Sequence, residues 1–171
     1  MENKFEEIIE NLEKNEALTV GDKTFLNELI LDETLQSSVF GTITFFQVDF
    51  KRIDLIGSTF VNCKFKNCKF EDVLLIKCEF WNTIFENCQI EKSNLIRANF
   101  HKGNFQNCIF IKTTLRASHF SEFEFIETKF LDSELDFISA RSIKVWKLNQ
   151  FTEIERSSNL GNLLKTIHSD D

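Results

Sequence analysis

The stretch Cys63-Lys64-Phe65-Lys66-Asn67-Cys68-Lys69-Phe70-Glu71-Asp72 decides the fold of this chain. Each group of five puts a small residue first and a phenylalanine third, with polar residues at the other positions. An amphipathic helix repeats its apolar positions about every 3.6 residues and a half-buried strand about every two, so a period of five is neither. Followed outward in both directions, the same phase holds without a slip from Leu35 to Leu135, where every fifth residue is Leu, Phe or Ile.

A longer period lies over the first. Leu occupies positions 35, 55, 75, 95, 115 and 135, and the sites between them are Phe apart from Ile90. Four units of five therefore make one turn, and residues twenty apart stack in columns, one side lined by Leu and three mainly by Phe. The residue two before each large one is mostly small (Ser58, Cys63, Cys68, Val73, Cys78, Thr83, Ala98 and Gly103 among them), which predicts that it also points inward. Two inward and three outward residues per unit describe an all-β solenoid: a four-sided parallel β-helix of about five to six coils. The composition agrees. Twenty Phe and no Tyr suit rings buried where a phenolic hydroxyl would find no partner, and the absence of Pro suits a backbone whose donors are needed for a ladder.

The units at Cys63–Asn67, Cys68–Asp72 and Ala98-Asn99-Phe100-His101-Lys102 resemble those of the pentapeptide-repeat family: a small residue, Asn or Asp, Leu or Phe, then two variable positions. The resemblance spans residues 35–140 and implies a right-handed coil. It departs from the family pattern in the second column, where Lys64, Leu74, Glu79, Ile84 and Ile109 stand in place of Asn or Asp. That position faces outward, so the departure alters the surface and not the fold. The family also implies what such a rod does. Some members resemble double-stranded DNA in width and charge, bind DNA gyrase and protect it from quinolones, some dimerise through the C-terminal end, and most have no defined biochemical role.

Three segments are expected. Residues 1–34 form an N-terminal cap, with Phe5, Ile8, Ile9 and Leu12 on one helical face and Val20, Phe25 and Ile30 in an irregular first turn. Residues 35–140 are the β-helix. Residues 141–171 form a C-terminal cap, with a hairpin around Leu148-Asn149-Gln150 and then a helix presenting Leu160, Leu163, Leu164 and Ile167 from an N-cap at Ser157 or Ser158. Caps are required because an open coil end exposes unpaired backbone and bare rings.

Charge bears on function. The formal net charge of −7 sits almost wholly in residues 1–34, while residues 35–140 carry 13 acidic and 12 basic side chains. A near-neutral rod studded with Lys64, Lys66, Lys69, Lys77 and Lys92 is a poor imitation of DNA, and nothing in it is a basic footprint for direct nucleic-acid binding. No signal-peptide pattern opens the chain and no apolar run could span a bilayer, so the expected setting is the cytoplasm without membrane attachment.

Catalytic and cofactor readings find little to stand on. Cys63, Cys68, Cys78, Cys88 and Cys108 all fall in the small inward column, at multiples of the repeat and not at zinc-site spacing. His101, His119 and His168 sit singly, without a nucleophile and acid at motif spacing. Outward Asn67, Asn87 and Asn107 form a twenty-residue column suited to an amide ladder. No enzyme activity, cofactor or metal is expected. What remains is an outward apolar set, Ile56, Ile76 and Ile96 in one column with Leu74, Trp81 and Ile84 near them, which is either a docking patch or stacked β-formers. The expectation is a rigid protein-interaction scaffold of undefined partner, the alternative a gyrase-binding DNA mimic, with a homodimer through an end cap or the apolar stripe as a further option.

Overall fold

A computed structural model describes residues 4–9, 17–158 and 160–167, except the side chains of Glu6, Thr166 and Ile167. The chain is a parallel β-solenoid of about six turns in which each strand pairs with the one twenty residues on. Its four sides are named here by their inward residues. Side A holds Val20, Phe40, Phe60, Phe80, Phe100, Phe120 and Ala140. Side B holds Phe25, Phe45, Phe65, Phe85, Phe105, Phe125 and Val145. Side C holds Ile30, Phe50, Phe70, Ile90, Phe110 and Phe130, and side D the Leu column from Leu35 to Leu135. These residues and the small column form one continuous core.

The Leu and Phe columns differ for a backbone reason. Sides A, B and C are ladders of short strands, whereas side D has single bridges such as Asp54↔Leu74 and Leu74↔Asn94. On that side the coil turns tightly, with Ser58, Cys78, Ala98 and Ser118 donating their N–H to the carbonyls of Leu55, Leu75, Leu95 and Leu115. These are β-turns with the third residue at positive φ, as at Lys77 (57°) and Arg97 (58°). On the strand sides Phe rings stack from coil to coil. Along side A from Phe40 to Phe120, ring centroids lie 4.6 to 5.0 Å apart with planes within 8°. That spacing matches the distance between neighbouring strands, about 4.8 Å, so backbone pairing and ring stacking are satisfied together.

Positive φ is not confined to side D. The residue two after each large one adopts it at every corner, from Asp22 to Ser142. Asn and Asp enter this conformation most readily among residues with a side chain, which explains Asn62, Asn67, Asn82, Asn87 and Asn107 at corners. The expected amide ladder is present: Asn107 donates to Asn87 and Asn87 to Asn67, each at 3.2 Å.

The small column is more than a space-saver. Ser58, Cys63, Cys78, Thr113 and Thr128 each donate to the carbonyl of the residue 23 positions earlier, in the coil beneath, at 2.8 to 3.3 Å. The side-chain bond uses a carbonyl's second lone pair where the first is already taken, as at Leu55, which also accepts the Ser58 N–H. Gly103 departs from the column for a packing reason. It opposes Phe123 in the next coil, and a Cβ at Gly103 would run into the Thr83 carbonyl. The extra ring of Phe123 packs on Phe100 and Phe105 and breaks the parallel stack of side B, so that Phe85 and Phe105 meet at 51°.

Both ends are capped, with differences from expectation. Helix α1 is described over Phe5–Ile9, and Phe5 plugs the mouth edge-on to Phe25 at 5.1 Å while its N–H donates to Glu28. Leu12 lies outside the described residues. The first coil is regular, since strands at Thr19–Gly21, Thr24–Leu26 and Leu29–Leu31 pair with the next coil, and the solenoid begins at Thr19 and not at residue 35. The pattern fades there because Lys23, Glu28 and Glu33 occupy the small column, half-buried at the N-terminal end. At the other end, strands Ser139–Lys147 and Gln150–Ser157 pair antiparallel around a two-residue turn, Leu148-Asn149, both at positive φ, so Gln150 belongs to the strand. Helix α2 (Leu160–Ile167) buries Leu160 and Leu164 over the last coil. Gly161 lets it approach, for a Cβ there would strike the Leu135 carbonyl.

Candidate interaction surface

Solenoid geometry puts the residue before and the residue after each inward one on the outer face of the same side. Ile56, Ile76 and Ile96 therefore stack on side D, half-buried, each at the second position of a turn. The backbone N–H groups of Ile56 and Ile96 are bonded at 3.0 Å by the side chains of Asp54 and Asn94, which hold those turns. Leu74 takes the place of Asp54 and Asn94 in the middle coil and is 37% exposed. A leucine where its neighbours above and below cap a turn removes the cap and adds apolar surface.

Trp81 and Ile84 do not join that cluster. Trp81 lies on side A, 44% exposed, with its ring 4.6 Å from His101 in the next coil. Ile84 is half-buried on side B, aligned with Lys64 below and Asn104 above. The corner at Asn82 separates the two, and the corner at Lys77 separates Trp81 from Ile76. The structure thus assembles four of the six candidates on one side and places the other two on the next sides around the coil.

Ion pairing distinguishes the sides further. Lys64 and Lys66 both reach Glu86 on side B, Lys51 reaches Glu71 on side C, and Arg52–Asp32, Lys92–Glu91 and Lys102–Glu122 lie at or beside bounding corners. Lys66, foremost, and Lys64 hold the Glu86 carboxyl below the usual carboxylate range. Among the described residues, no ion pair lies on the outer face of side D or side A.

The cysteines are core residues. Burial pushes the Cys63 thiol up to about 11 and the Cys78 thiol up to about 12. Cys68 is raised first by Cys88 and then by burial, and Cys88 first by Cys108, in the stacked ladder that the spacing predicts. Thiols held in that form at neutral pH are poor nucleophiles. Among the described residues no cluster of His, Cys, Asp or Glu could hold a metal ion, and no helix is long and apolar enough to cross a membrane. His119 bonds Ser139 at 2.8 Å through Nδ1, and His168 lies outside the described residues. Sequence reasoning missed the outer face of the C-terminal hairpin, where Phe151 packs on Trp146 at 4.7 Å and is 50% exposed, because only the antiparallel register brings these rings together.

Comparison with known proteins gives one family and several solved structures. The pentapeptide repeat region model matches residues 58–139. No curated protein matches the chain. A trypsin-treated variant of QnrB1, a plasmid-mediated fluoroquinolone resistance protein, is 13% identical with a TM-score of 0.34, covering 67% of this chain and 71% of that one. HetL, a pentapeptide repeat protein involved in heterocyst differentiation regulation from the cyanobacterium Nostoc sp. strain PCC 7120, is 11% identical with a TM-score of 0.34, covering 80% and 72%. Rfr23, a pentapeptide repeat protein from the cyanobacterium Cyanothece 51142, is 14% identical with a TM-score of 0.24, covering 68% and 86%.

Proposed function

Since residues 58–139 are a pentapeptide-repeat region, we propose that this chain is a non-enzymatic scaffold that docks a protein partner on side D, through Ile56, Leu74, Ile76 and Ile96. One observation carries the reading: side D joins an apolar column, an exposed leucine standing where its column neighbours cap turns, and an absence of ion pairs among the described residues. The interior fold does not require those outward side chains to be apolar. Apolar surface of this kind, on a rigid and regular face, suits a partner that brings apolar side chains of its own.

The DNA-mimic alternative receives no comparable support. A phosphate-like surface needs unpaired carboxylates in rows, whereas Glu71 and Glu86 on the rod are neutralised by Lys51, Lys64 and Lys66.

Affinity capture from host lysate separates these readings when wild type is run beside Leu74→Lys/Ile76→Lys and beside Trp81→Lys. The side D variant is expected to lose the captured protein while the side A variant keeps it, with both folded by circular dichroism. Capture that survives the side D variant but fails with Trp81→Lys would move the surface to side A. Enrichment of gyrase subunits unaffected by either would revive the DNA-mimic reading.

A further inference from the structure

We infer that the C-terminal end of side A is a binding site for a phosphate-type oxyanion, gripped by Arg141 and Arg156. The two arginines are Cα partners across the antiparallel hairpin. Like charges placed directly opposite one another destabilise a strand pair, and the usual remedy is a carboxylate between them. Here neither guanidinium makes an ion pair with a described residue, although Glu153 and Glu155 belong to the same strand as Arg156. A local arrangement that costs stability, with no direct ion pair to offset it, is expected where a ligand completes the set.

Shape and neighbours point the same way. The arginines line an open cleft of ≈ 960 Å³ together with His119, Ser139, Ser142 and Ser158. His119 bonds Ser139 through Nδ1 at 2.8 Å, which fixes the ring and leaves Nε2 as the nitrogen available to a ligand. Two planar guanidiniums, an imidazole and serine hydroxyls are the donors that a tetrahedral oxyanion takes, and paired arginines suit it better than lysines because their N–H groups act in parallel. Arg52 in the regular coil offers a contrast, since it is already held by Asp32. Glu153 and Glu155 also line the cleft, and their charge opposes the bound anion. This site is on a different side from the proposed protein-docking face, so either can fail without the other.

The test is a titration of the full chain with inorganic phosphate, and separately with phosphoserine, at constant ionic strength, followed by backbone amide NMR. Saturable shifts confined to residues near 119, 139–142 and 155–158 are expected, and the two probes distinguish a free anion from a phosphorylated group. Arg141→Gln/Arg156→Gln should weaken the response at least about tenfold, whereas Arg52→Gln should leave it unchanged. Glu153→Gln/Glu155→Gln should tighten it. Absence of saturation with both probes, or an equal response in the Arg141→Gln/Arg156→Gln variant whose other amides are unperturbed, would overturn the assignment.

Discussion

Sides B and C and sides D and A are built on the same five-residue unit, yet they use their outer faces differently. On B and C the outward charges face each other between coils, as Lys51 does Glu71 and Lys66 does Glu86, at 2.9 Å in both cases. On D the outer face carries the apolar set Ile56, Leu74, Ile76 and Ile96 in its middle coils, and on A it passes from Val61 and Trp81 to His101 and Arg141. The lesson is that a solenoid fixes its interior by stacking and leaves each outer column to be chosen separately. Where an outer column is occupied with coil-to-coil pairing, it has little left to offer a partner. Where it is not, its side chains are the ones to explain by binding.

If the sides differ outside and not inside, deleting a ring from either class of side should be equally damaging. Phe85→Ala on side B and Phe100→Ala on side A should each lose about 3–5 kcal/mol in chemical denaturation, by lost burial and the cavity left behind. Both rings are buried and both sit in mid-stack. A mild effect on one side alone would break the comparison, because it would mean that the core is not shared.

A smaller effect sharpens it. The Glu86 carboxyl has a folded-state pKa held below its ordinary value by Lys66 and then Lys64. A depressed carboxylate contributes stability that is present above the unfolded value and lost as pH falls through the folded one. Glu86→Gln should therefore cost up to about 1 kcal/mol at neutral pH, little because the lysines are substantially exposed, and should flatten the fall in stability below about pH 4.5. Melting temperature against pH for the two proteins reads this directly. An unchanged acid limb would show that the side B pairs contribute nothing.

Much of this was legible in the residues because inward columns obey strict rules. The five-residue phase, the Leu column and the Cys68–Cys88–Cys108 ladder all follow from stacking at a spacing of twenty, and so does the asparagine ladder on an outward column. Corners were not legible in the same way. Positive φ is suited to Asn and Asp, but Lys77, Arg97, Lys102 and Phe137 adopt it too, so residue type alone does not mark a corner. That is why Trp81 and Ile84 read as neighbours of Ile76 when corners at Lys77 and Asn82 set them on other sides. Val20, Phe25 and Ile30 keep the phase, but the first coil read as irregular because Lys23, Glu28 and Glu33 stand in the inward column, where the N-terminal end leaves them half-buried. Likewise the juxtaposition of Arg141 and Arg156 exists only in the hairpin register, which depends on a two-residue turn that Leu148 does not announce.

The most direct test of side D as the docking face is site-specific photo-crosslinking in host cells, with the photoreactive side chain placed at Leu74 in one strain and at Lys66 in another. The account predicts a discrete crosslinked protein from position 74 and none from position 66, whose native side chain is engaged with Glu86 on side B. A crosslink from position 66 with none from position 74 would contradict it.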